Sequence, residues 1–160
     1  MNDKDFIKKA YEKGRIKDAS EAFKEFPPEE EWHKGKIENI LKEDDDNYNI
    51  YSVGDIVFVK EYTYSNGKKG HNHLFVIIYQ NNIVVPIENF GMLISSKIEK
   101  VKYNTNVLIK KDTINKLNKD SIVKIDTIYK IDNKQILFKI GTIDREKIEE
   151  YKKMYLAYLD

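Results

Sequence analysis

Residues 53–87 read V-G-D-I-V-F-V-K-E-Y-T-Y-S-N-G-K-K-G-H-N-H-L-F-V-I-I-Y-Q-N-N-I-V-V-P-I. Ile56, Phe58 and Lys60 alternate with Val57, Val59 and Glu61, the two-residue period of a strand. The β-branched and aromatic run 74–79 predicts a second, buried strand. Asn81-Asn82 signals a turn, so 83–87 is expected to return antiparallel as a hairpin. Between the first two strands lies a glycine-flanked cationic loop carrying Lys68, Lys69, His71, Asn72 and His73. That arrangement sets titratable and cationic groups at the end of a buried scaffold.

Working outward, the strand signals continue. A short strand is expected at 107–109, and 121–129 and 135–140 flank Asp132-Asn133-Lys134 as a second hairpin. The apolar segment Asn89-Phe90-Gly91-Met92-Leu93-Ile94 is expected to cover the barrel or form a dimer contact. Asp144 is placed to cap a final helix, whose Ile148, Tyr151, Tyr155 and Tyr158 form one stripe. Several short strands with tight turns and one terminal helix predict a mainly β fold, a small, strongly curved barrel, since a flat sheet of this size leaves its edges open.

Upstream the period changes. Phe6, Ile7, Ala10 and Tyr11, then Ile16, Ala19, Phe23 and Phe26, predict one or two amphipathic helices over 3–26, separated at Gly14. Pro27-Pro28 ends the helical pattern, and Glu43-Asp44-Asp45-Asp46-Asn47 reads as a solvated linker. The expected division is an acidic helical arm and linker, 1–49, and a barrel domain, 50–160. The arm holds 10 Lys/Arg against 14 Asp/Glu and the remainder 18 against 13, so charges of −4 and +5 hide behind a net +1. A positive surface suits phosphate, and an acidic arm on the same chain competes for it.

The 160 residues suffice for one domain with an appendage. Cysteine is absent, which excludes disulfides and thiolate metal sites and suits a reducing cytoplasm. No apolar run approaches membrane-spanning length, and the first residues lack a signal-peptide layout, so a cytoplasmic protein with no membrane partner is expected.

Gly54-Asp55-Ile56-Val57-Phe58, Asp120-Ser121-Ile122-Val123-Lys124-Ile125-Asp126-Thr127-Ile128, and Lys139-Ile140-Gly141-Thr142-Ile143-Asp144 ahead of a helix resemble the opening strand, closing strands and tail of the PemK/MazF-type toxins of bacterial toxin–antitoxin pairs. The resemblance spans residues 52 to about 156. It implies an SH3-like barrel, usually a homodimer, that cuts single-stranded RNA without a metal and is silenced by an antitoxin protein. In that family an arginine entering the second strand and a threonine ending the third usually carry the activity. An ungapped match sets the arginine position at Asn72 and the threonine position at Glu88.

Metal-free RNA cleavage needs a base for the 2′-hydroxyl, donors for the charged phosphorane and an acid for the leaving oxygen. His73, or His71 beside it, and Glu88 are the candidate acid and base, provided the barrel brings the two strand ends together. Lys68, Lys69 and Asn72 are candidate phosphate contacts, and Tyr64 a surface for stacking on an unpaired base. His71-x-His73 offers only two metal ligands, so no metal or other cofactor is expected. Phe23, Phe26 and Trp32 in the acidic arm have the makeup of a segment that masks such a groove in cis. Three readings stay open at this point: an endoribonuclease with a replacement site, an inactive barrel that binds nucleic acid or protein, and a purely regulatory protein whose arm is the interaction element.

Overall fold

The computed structural model describes residues 3–19, 51–60, 72–81, 87–98 and 105–159. Helix α1 (Asp3–Glu12) presents Phe6, Ile7 and Ala10 to the core, on the spacing the sequence predicts. It ends in a reversed turn at Gly14, whose φ of +65° a glycine adopts without strain. There the Gly14 N–H donates to the Tyr11 carbonyl and the Arg15 N–H to the Ala10 carbonyl, capping the last turn. The reversal has a consequence for the next three residues. Ile16–Asp18 is a strand, β1, not the continuing helix expected, because it emerges alongside a strand of the barrel and pairs with it in parallel. Residues 3–19 are thus built into the folded unit, with Phe6, Ile7 and Ala10 in the same core as the barrel residues.

The Gly-Asp pair that opens the barrel has a physical cause. Gly54 adopts φ +96°, and a Cβ there would stand 2.7 Å from the Ile143 carbonyl oxygen. Its N–H donates to Ile77 and its carbonyl accepts from Ile143, stitching three chain segments at one point. The buried Asp55 carboxylate accepts from the Ser52 N–H at 2.8 Å and pairs with Lys139 at 3.1 Å. Strand β2 (Asp55–Lys60) then runs between β3 (Asn72–Asn81) and β8 (Ile136–Thr142), antiparallel to both.

The hairpin partner of β3 is displaced from its expected place. Strand β4 is Glu88–Ser95; Ile87 precedes it, and 83–86 lie outside the described residues. The segment expected to be a cover or dimer contact, 89–94, is therefore this strand. It is buried on both faces because it is central: β3 pairs along one edge, β7 (Ile128–Asp132) and β6 (Ser121–Lys124) along the other. To serve both ends of β4, the expected single strand 121–129 is broken at 125–127. β5 (Asn106–Ile109) extends the sheet beyond β6.

Asp132 and Gln135 close a reciprocal capping box around a single 3₁₀ turn, Asn133–Gln135. The turn sends β8 across to β2, so the expected second hairpin is not a paired one; the order is β1-β7-β4-β3-β2-β8. Helix α2 (Arg145–Leu159) starts where expected, the Asp144 carboxylate accepting from the Lys147 N–H at 3.0 Å. Its buried stripe is Ile148, Tyr151, Lys152 and Tyr155, while Tyr158 is half exposed beneath the Arg15 guanidinium. The result is a mainly β, strongly curved barrel carrying an N-terminal and a C-terminal helix. No helix among the described residues is long and apolar enough to cross a membrane.

Strand alternation gives the sheet two apolar faces. Ile56, Phe58, Leu74, Val76, Phe90, Met92 and Ile94 face one cluster, which the two helices join through Phe6, Ile148 and Tyr155. Val57, Val59, Phe75, Ile77, Leu93, Tyr129 and Ile131 face the other.

Candidate functional site

His73 stands second in β3, opposite Val59 of β2, and is 3% exposed. Alternation places it on the second face, in line with Phe75 and Ile77. Asn72, the first residue of the strand, pairs with Lys60. Tyr64, Lys68, Lys69 and His71 lie outside the described residues.

Glu88 occupies the opposite end of the same ladder. The register sets it against Asn81 of β3 and Asp132 of β7, whereas His73 adjoins the Leu74–Ile94 pair. From His73 to Asn81 the strand covers roughly 25 Å at its usual rise. The expected meeting of the His73 imidazole and the Glu88 carboxylate in one cleft does not occur, because the return strand starts at Glu88 where the expectation had it end. Glu88 is instead engaged at the β1 edge of the sheet. It pairs with Lys130 at 2.6 Å and accepts from the Asn81 amide at 3.3 Å. The hydrogen bond to Glu88 is the leading reason the Lys130 ammonium holds its proton above its ordinary range. The nearby Tyr11 phenol is also raised, first by partial burial.

Beside Glu88 the ladder end is closed by amides. The buried Asn89 side chain donates to the Ile131 carbonyl and to Asn133, and accepts from Gln80, which also donates to the Tyr51 carbonyl at 2.6 Å. These bonds hold β3, β4, β7 and residue 51 together. Their donors and acceptors meet each other, as in a structural joint rather than a ligand site.

The other end of the ladder carries a residue that the sequence reading missed. The β3–β4 ladder closes with the Leu74–Ile94 pair; His73 lies one residue before it on β3, and Ser95, the last residue of β4, one residue after it. Both project to the second face, since Leu93, two residues before Ser95, lies in that cluster. The Ser95 hydroxyl accepts from the Lys97 N–H at 3.2 Å, in a short turn that fixes its direction. Ser95 also pairs with Ile122 of β6, so two neighbouring strands position it. The signal was present in Leu93-Ile94-Ser95-Ser96, a hydroxyl pair closing an apolar run, but an ungapped match cannot place it. Among the described residues no three His, Asp or Glu side chains gather as metal ligands.

A curved barrel entered through Gly-Asp, with a helix packed on its core, defines a small mainly β domain, one ladder end of which carries His73 and Ser95. Residues 52–155 match the family of PemK-like, MazF-like toxins of type II toxin–antitoxin systems, and the chain belongs to that family. Comparison with curated proteins finds none that matches. The strand that follows β3 begins at Glu88 and ends at Ser95.

Proposed function

We propose that the chain is the toxin of a toxin–antitoxin pair and cleaves single-stranded RNA without a metal, at the His73–Ser95 end of the β3–β4 ladder. The observation that supports this reading is the β3–β4 register, which closes at Leu74–Ile94 and so leaves His73 and Ser95 at the same end of the ladder, in a family of toxins. His73 serves as acid or base, and the Ser95 hydroxyl donates to the phosphate as charge builds on it. The loop entering β3 supplies Lys68, Lys69 and Asn72 for phosphate, His71 as the alternative proton carrier and Tyr64 for base stacking. Glu88 has no part in the reaction. A separate antitoxin and a homodimer, both implied by the family, complete the proposal.

The test is cleavage of a mixed-sequence single-stranded RNA by the full chain in the presence of chelator, with the ends identified chemically. Products bearing 2′,3′-cyclic phosphate are expected. His73→Ala and Ser95→Ala each lower the rate by about 100-fold, the scale on which a positioned proton carrier or donor acts. Intact RNA at stoichiometric enzyme refutes the reading. The 3% exposure of His73 favours one alternative, a barrel in which that imidazole is structural and the chain binds RNA without cutting it. Salt-dependent retention of uncut RNA identifies that case.

A further inference from the structure

Residues 110–120 join β5 to β6 in a loop that carries Lys110, Lys111, Lys116 and Lys119, all of them exposed. Polar side chains hold this loop in one shape. The Asp112 carboxylate accepts from the Ile114 and Asn115 N–H groups at 2.8 and 2.7 Å, and Asp120 accepts from the Lys111 N–H at 2.9 Å. The buried Asn115 amide accepts from the Asp112 and Leu117 N–H groups and donates to the Lys110 carbonyl. Both acids are thus turned onto the loop's own backbone. Among the described residues none of the four ammonium groups pairs with a carboxylate, whereas Lys130, Lys139 and Lys152 each do. Lys116 is also the one described residue other than glycine with a positive φ, +55°. Glycine takes that conformation without strain, so a lysine there costs stability, and its exposed side chain makes no ion pair in return. The register fixes where the loop emerges. Ser95 of β4 pairs with Ile122 of β6, and Ile122 with Leu108 of β5, so the three lie in one row across the sheet. The next pair, Ile109 with Ser121, closes β5 against β6, and the loop starts there.

We propose that this loop is a phosphate-binding arm for single-stranded RNA, its four lysines holding the part of the strand that lies beyond the nucleotides being cut. The inference deepens the nuclease reading and rests on it for the identity of the polyanion. Charge is the first support: residues 110–119 hold four lysines against one aspartate, a local +3 in a chain whose net charge is +1. Position is the second, because the loop begins one row beyond Ser95, so a strand that leaves the reaction site across β6 and β5 meets it. Rigidity is the third. A backbone already fixed by Asp112, Asn115 and Asp120 loses little freedom when a ligand settles on it. Contacts to phosphate position a strand without reading its bases, so the loop adds affinity at every sequence and takes no part in the chemistry. Ile114, 64% exposed in the middle of the loop, has no role in such contacts.

The experiment measures binding of the full chain to a mixed-sequence single-stranded RNA methylated at every 2′-oxygen, a probe that 2′-hydroxyl chemistry cannot cut. Fluorescence anisotropy over a salt series compares the parent with a variant in which Lys110, Lys111, Lys116 and Lys119 are all replaced by glutamine. These positions are exposed, and the hydrogen bonds of Asp112, Asn115 and Asp120 stay in place. The variant is expected to bind on the order of 100-fold more weakly at about 0.1 M salt, with the slope of log K against log salt shallower by about 3, the counterion release of four contacts on a single strand. Lys116→Gly alone should melt no lower than the parent yet bind several-fold more weakly, a combination that a purely structural lysine does not give. Ile114→Ser should bind as the parent does. Equal binding by the parent and the fourfold variant overturns the proposal and leaves the nuclease reading standing. A loss in Ile114→Ser as large as that of the fourfold variant assigns the loop to an apolar contact, as with a protein partner, and overturns it as well. A parent with no affinity for the RNA overturns both readings together.

Discussion

Replacing Phe6 by alanine tests whether the N-terminal helix is part of the fold or an appendage to it. Phe6 is 2% exposed, meets the Tyr155 ring edge-on at 5.3 Å, and has the Lys152 ammonium 6.0 Å from its ring centre. Truncation removes a whole buried aromatic side chain, and it leaves a cavity between two helices that Tyr155 and Lys152 only partly fill. Phe→Ala changes at such sites cost about 3 to 5 kcal/mol. The lost aromatic pair, roughly 1 kcal/mol, is contained in that figure. For a chain of this length each kcal/mol moves the midpoint by about 2–4 °C, so thermal unfolding should fall by roughly 10 °C. Circular dichroism with urea titration is the assay, and the midpoint should drop at an unchanged slope. Tyr11→Ala is the matched control. Its ring is 51% exposed and touches Phe90 only at 6.3 Å, so it should cost less than about 1 kcal/mol. Equal small losses for both variants would refute the placement of α1 in the core.

Three further outcomes are expected. Gly141→Ala puts a Cβ into the Asn115 carbonyl and 2.8 Å from that of Ile114, in a loop pinned by hydrogen bonds from the Asn115 side chain to Lys110 and by Thr142 to Ile114. The loop cannot retreat, so calorimetry should record a loss of about 2 kcal/mol or more. Glu88→Gln keeps the shape of its site and removes one charge from a half-exposed pair; the cost is at most about 1 kcal/mol. Any RNA cleavage should stay within about twofold of the parent, and a collapse of activity would restore Glu88 to the chemistry. Burial is the first cause that raises the Tyr151 phenol, to about 12, and it raises Tyr155 as well. A folded pKa above the unfolded value of about 10 means the native state keeps its proton longer, so this contribution is complete below pH 10 and fades as the pH climbs towards 12. For Tyr151 the loss reaches up to about 2.5 kcal/mol, and Tyr151→Phe should flatten that part of the alkaline decline in a pH series of urea midpoints.

The strands that could be read from sequence are those whose two faces differ, or whose ends carry a turn signal. β2 and β5 fall within one or two residues of expectation, and β3 runs somewhat beyond the run predicted for it, for these reasons. β4 was missed as a strand because it is an apolar run buried on both faces, as β2 and β3 are, but with no turn signal at its start to mark it off from a cover. β1 was read as helix because Ile16 and Ala19 fit a helical spacing, while the turn that ends α1 is a backbone event at Gly14. Moving the return strand by one segment moved the candidate site with it. A register shift exchanges every cross-strand neighbour, so Glu88 falls opposite Asn81, at the far end of the ladder from His73.

Composition and period by themselves determined the mainly β class, the curved barrel, the capped terminal helix and, through the motifs at 54–58, 120–128 and 139–144, the family. These are local properties: side-chain alternation, turn chemistry and charge are written in consecutive residues. Only the tertiary structure decided which strands are neighbours, that Phe6, Ile7 and Ala10 belong to the core, that Glu88 pairs with Lys130, and that His73 and Ser95 lie at one end of the β3–β4 ladder. Pairing across a sheet joins residues far apart in sequence. Its register is set by the burial of both faces at once, which no single stretch of the chain encodes.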